Sequence, residues 1–191
     1  MKKKTPVWRL IIAALVYGLL FMLGAVSGLI HPMCFAYAGT FLPLLMGFVY
    51  LYTASKMQCF GAATLLNGLV LIPSAIAGEA DLTFAVGAVS LTVIAEVVRL
   101  IVGYNTLKGV RLSFIALAFS YYSYVFHWWT DTSGSIAAAV EEMPAGYADK
   151  VQGVIDNVPV LIIMLILTVP MALIGMKLAE KAMKKQAAAL K

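Results

Sequence analysis

Six stretches of about twenty mostly apolar residues, each long enough to cross a bilayer, fill most of this chain of 191 residues. They run approximately over 7–30, 34–52, 60–77, 82–102, 109–129 and 158–179. Apolar residues make up 62% of the chain and charged residues 12%. A soluble domain has roughly 45–50% and about 25%, so this chain has too little polar surface to cover a core in water. Lipid is the solvent that fits. The sequence therefore predicts an all-α integral membrane protein, one six-helix membrane domain over 1–191. The first run follows Lys2, Lys3 and Lys4, continues too long for a cleavable signal peptide, and reads as the first membrane helix.

The charges give an independent reading of the same count. With the N-terminus in the cytoplasm, thirteen of the fourteen basic residues fall on the cytoplasmic side, Lys150 being the exception. Seven of the nine acids, Glu79, Asp81, Asp131, Glu141, Glu142, Asp149 and Asp156, fall outside. This is the positive-inside distribution, and one miscounted helix would invert every charge after it. It predicts six spans with both termini cytoplasmic, a long external loop over 130–157 and a cytoplasmic tail over 180–191 that prolongs the last helix. A net charge of +5 distributed this way is no nucleic-acid footprint. Cys34 and Cys59 fall near opposite faces, which excludes a disulfide between them and makes packed apolar thiols the expectation. Pro43, Pro73, Pro159 and Pro170 are expected to kink their helices.

Four features carry candidate chemistry. In helix one, Ala14 and Gly18, then Gly24 and Gly28, put small residues four apart, which permits close helix approach. That stripe serves either a partner subunit or the protein's own packing. In helix four, Glu96 and Arg99 lie i and i+3 on one face and can form an intramembrane ion pair. The segment from Tyr121 to Asp131, which contains Trp128 and Trp129, is the densest aromatic and hydrogen-bonding cluster. It reads as a small-molecule site beside the long loop or as an interfacial aromatic belt. His31 precedes Pro32 at the outer end of helix one, and Tyr147 is placed to fold over a ligand. Asn67 reads as an interhelical contact inside helix three. No zincin, nucleophile-elbow or phosphate-loop motif is present, so neither an enzyme nor a metal centre is expected.

Ala95-Glu96 followed by Gly103-Tyr104, the Trp129 and Asp131 region, Gly146-Tyr147, and Gly175-Met176-Lys177-Leu178 through Lys184-Lys185 together resemble the Trep_Strep, or MptD-like, membrane proteins. These are described as S components of energy-coupling factor (ECF) transporters. The resemblance implies a substrate-binding subunit in a bacterial cell membrane that captures a vitamin or precursor at the outer face. It implies a membrane-embedded T component and two cytoplasmic ATPases as partners. It places docking at Ala14 and Gly18, and the substrate site at His31, Trp128, Trp129, Asp131, Tyr147 and Asn157. It implies no resident cofactor. The alternative is a self-sufficient secondary transporter, which needs acids deep in the bundle and has only Glu96 to offer.

Overall fold

The computed structural model describes residues 6–190, so Lys2, Lys3, Lys4 and Lys191 lie outside the described residues. The described chain is helical, with no strand. Helix α1 covers Val7–Val26, and a tight turn over Ser27–Leu29 prolongs it. Helices α2 (Pro32–Phe41) and α3 (Pro43–Lys56) follow one another with a bend of 42° at Leu42. Pro43 supplies the break: it has no N–H to donate back into α2, and its ring crowds the preceding turn. Then come α4 (Ala62–Ile76), α5 (Leu82–Val102) and α6 (Leu107–Ala118). Two short pieces, α7 (Ser120–Val125) and α8 (His127–Thr130), continue beyond α6. The segment read as an external loop contains two helices, α9 (Thr132–Glu142) and α10 (Tyr147–Asp156). Helix α11 spans Val158–Ala182, and α12 spans Lys184–Ala188.

Among the described residues, three helices are long and apolar enough to cross a membrane: α1 with its extension, α5 and α11. The bent pair α2–α3 makes a fourth when counted as one span. The other two expected spans fall short for identifiable reasons. Helix α4 has 15 residues, about 22 Å at 1.5 Å per residue, against a hydrocarbon core of about 30 Å. Helix α6 starts with Lys108 and Arg111 and is interrupted at Phe119. Large apolar side chains such as Leu19, Ile101 and Ile166 stand exposed on α1, α5 and α11, a surface that suits lipid.

Core polar groups join helices distant in sequence. Asn67 Nδ2 donates to Thr92 Oγ1 and Ser120 Oγ, both at 2.8 Å, and its Oδ1 accepts from the Tyr17 hydroxyl at 3.4 Å. One amide thus ties α1, α4, α5 and α7. Thr40 Oγ1 lies 2.6 Å from the Tyr122 hydroxyl and donates to the Met164 carbonyl at 3.1 Å, linking α2, α7 and α11. Helices α3 and α11 cross closely. A Cβ built on Gly175 would lie 2.4 Å from the Pro43 carbonyl oxygen, and one on Gly47 would lie 3.0 Å from the Gly175 carbonyl carbon.

The bundle has a basic end and an acidic end. At the basic end Arg111 and Glu180 form a two-pronged ion pair between α6 and α11. The tail does not simply prolong α11. It breaks at Met183, and Gln58 Nε2 donates to the Ala189 carbonyl at 2.7 Å, which holds the tail against the turn after α3.

Four further expectations are corrected here. Glu96 and Arg99 do not pair with each other, since the only ion pair among the described residues is Arg111–Glu180. Glu96 Oε1 instead accepts from the backbone N–H groups of Gly61, Ala63 and Thr64 at 3.1, 2.8 and 3.2 Å, the opening turn of α4. Arg99 Nη2 donates to the Met57 and Tyr104 carbonyls at 3.0 and 2.8 Å. Each charge meets the helix terminus of opposite partial charge, and several backbone partners outweigh one side-chain partner. Ala14 is wholly buried within the bundle, so the small-residue stripe is partly internal, while Gly18 is half-buried with open space where a Cβ would stand. Pro159 opens α11 rather than kinking it, because the first helical turn needs no N–H from that position. Cys34 and Cys59 are free, as expected, but both are exposed rather than packed.

Candidate functional site

Helices α9 and α10 roof a cavity of about 480 Å³ at the acidic end, within the range that holds small molecules. Its walls come from the end of α1, from α2, the α4–α5 turn, α7, α8 and the two roof helices. Phe35 and Trp128 form its aromatic side with ring centroids 5.0 Å apart. Tyr124 completes that side, held against Phe84 at 5.3 Å and Phe21 at 5.7 Å in the packed aromatic core beneath. Rings packed this way, tilted or edge to face, lose little freedom when a ligand arrives, so the wall is preformed.

The polar groups of the cavity are fixed by local structure. His127 Nδ1 lies 2.7 Å from the Tyr124 carbonyl oxygen. A carbonyl only accepts, so Nδ1 carries the proton and Nε2 of the neutral ring is an acceptor. Asp131 Oδ1 accepts from Gly134 N at 3.1 Å and caps α9, and Asp81 Oδ1 accepts from Phe84 N at 2.6 Å and caps α5. Each cap sets the direction of its carboxyl group. Tyr147 fastens the roof: its hydroxyl donates to the Gly28 carbonyl at 2.7 Å, joining α10 to the end of α1. Burial, and secondarily the neighbouring Cys34 thiol, holds that phenol above its ordinary range.

The six residues expected to bind substrate are divided by the structure. Trp128, Asp131 and Tyr147 line this cavity together. Trp129 does not; its indole Nε1 donates to the Ile155 carbonyl at 3.2 Å and braces α8 against α10. His31 and Asn157 line a separate depression of about 180 Å³ with Tyr37 and Lys150, on the other side of α10. There His31 Nδ1 accepts from Met33 N at 3.2 Å and caps α2, while Asn157 Oδ1 accepts from Val160 N at 3.4 Å and caps α11. The cavity also holds Tyr124 and His127 from the Tyr121–Asp131 cluster, together with Phe35, Glu79, Asp81 and Glu142, which the sequence reading did not place in the site. A signal for the acids was present, since all three belong to the external acidic set.

An apolar helical bundle with an aromatic cavity beneath a two-helix roof fits the class of integral membrane proteins. The chain belongs to the Trep_Strep family, described as hypothetical bacterial integral membrane protein, whose model matches residues 7–188. Neither a curated protein nor a solved structure matches it.

Proposed function

We propose that this chain is the substrate-binding S component of an ECF-type importer in the bacterial cell membrane. In this reading six spans cross the bilayer, with α4 and its flanking turns as the third and α6 to α8 as the fifth. Both termini are cytoplasmic and the acidic end faces outward. The chain captures a small molecule and hydrolyses nothing itself, while ATP hydrolysis belongs to two cytoplasmic subunits joined through a T component. The observation that carries the reading is the preformed aromatic cavity of about 480 Å³ under a latched roof. The positive-inside charge pattern supports its outward orientation, and the resemblance to S components supports the division of labour.

The test is mass spectrometry of small molecules released from protein purified from its native membrane, in parallel with a Trp128→Ala variant. One compound should be retained in stoichiometric amount by the parent chain. The variant, which removes much of the aromatic wall, should bind it about ten- to a hundredfold more weakly. Equal retention by both would remove the cavity from the capture step.

A further inference from the structure

We infer that the cavity under α9 and α10 selects a small organic cation, with a flat or apolar body against the aromatic wall and its positive charge toward the carboxylates. The inference rests on the capture reading above and names the class of molecule captured.

Three independent observations converge. The first is charge. Glu79, Asp81, Asp131 and Glu142 line the cavity, and no lysine or arginine among the described residues does. Lys150, the basic residue expected outside, belongs to the other depression across α10. Negative potential focused in a concave site raises the local concentration of cations and repels anions. The second is the wall. Phe35, Tyr124 and Trp128 present π-systems, and the negative face of such rings attracts a desolvated cation. The third is an unpaired donor. Trp128 is only 7% exposed, yet among the described residues its indole N–H donates to no protein atom. That N–H is open to solvent rather than sealed in the protein, so it is available to an acceptor entering the cavity. A ligand that carries an acceptor as well as a positive charge would use that donor.

A bare metal ion does not fit. Among the described residues no three His, Cys, Asp or Glu side chains come close enough to hold one. Carboxylates spread around a cavity of this volume suit a charge carried on a larger body.

The test uses the full chain in lipid nanodiscs and three benzyl-sized probes: benzyltrimethylammonium, neutral benzamide and anionic phenylacetate, titrated by saturation-transfer NMR. Benzyltrimethylammonium should bind saturably and at least about tenfold more tightly than either other probe. The double variant Glu79→Gln, Glu142→Gln leaves both helix caps in place, so it should fold. It should weaken the cation about tenfold or more while leaving benzamide unchanged. Phenylacetate or benzamide binding as tightly as the cation would overturn the inference and leave capture standing. So would an unchanged cation affinity in the double variant. Failure of all three probes to saturate, together with no compound retained by the purified protein, would remove both the cation inference and the capture reading.

Discussion

At the residue scale, the buried charges show what a low-dielectric interior demands of polar groups. Glu96 and Arg99 are both essentially unexposed. Spacing on one helix face predicts their mutual pairing, yet each is drawn to a helix terminus offering several backbone groups at once. The sequence pattern displays the side chains and hides the termini, because which turn lies opposite Glu96 is set by tertiary packing. Two variants separate the roles. Glu96→Gln keeps an acceptor for the α4 N–H groups but removes the charge, and should cost about 1 kcal/mol. Arg99→Met strands the Met57 and Tyr104 carbonyls in the interior and should cost about 2–3 kcal/mol or more. Thermal unfolding in detergent ranks them, and a larger loss for Glu96→Gln would count against this account. The same logic explains the divided site. His31, Asp131 and Asn157 were legible as polar residues near a span end, but each serves as a helix cap. Only for Asp131 does the cap also leave the side chain on the cavity.

At the element scale, periods and lengths were legible and breaks less so. Apolar runs read from sequence match α1, α5 and α11, whose long apolar stretches need no partner to be recognised. The bend at Leu42 was legible through Pro43. The roof was not: α9 and α10 are short, carry exposed acids, and resemble a solvated loop until tertiary contacts fix them. Helix α10 holds to the bundle through Val151, Val154 and Ile155, which are buried, and through the Tyr147 latch on Gly28. Tyr147→Phe keeps the ring and deletes that hydrogen bond, so it should raise amide exchange across α9 and α10 by about five- to tenfold, equivalent to a bond of about 1 kcal/mol. Exchange in α5 should not change. Small-residue packing was read on α1, but a close backbone approach lies at Gly175, where α11 meets the backbone of Pro43. There Gly175→Leu forces backbone against backbone and should destabilise the fold by about 3 kcal/mol or more. A variant with unchanged melting temperature would show that α3 and α11 can part freely.

At the scale of the whole molecule, two polarities coincide: the cavity sits at the acidic end, and the clamped turns, ion pair and folded-back tail sit at the basic end. An importer subunit needs this division, because capture and energy coupling happen on opposite faces. Topology is checked first by labelling single cysteines placed in a chain lacking Cys34 and Cys59. Glu142→Cys should react in whole cells, and Lys108→Cys only after lysis. Coupling is the harder test, and α1 supplies it through two neighbouring small residues with different surroundings. Ala14 has no exposure, so Ala14→Trp has nowhere to place an indole and should unfold the isolated protein. Gly18 has nothing within 4 Å of a Cβ position, so Gly18→Trp should fold and bind its ligand with unchanged affinity. It would still build a bulky ridge on the exposed face of α1, where close approach by a partner helix depends on small side chains. Gly18→Trp should therefore fail to co-purify with a T component and its ATPases, and uptake in cells expressing all four chains should stop. If Gly18→Trp both co-purifies and transports, the partner meets another face of the bundle. If the parent chain accumulates its ligand in cells without the ATPases, transport is driven by the chain itself and the secondary-transporter reading replaces the one proposed.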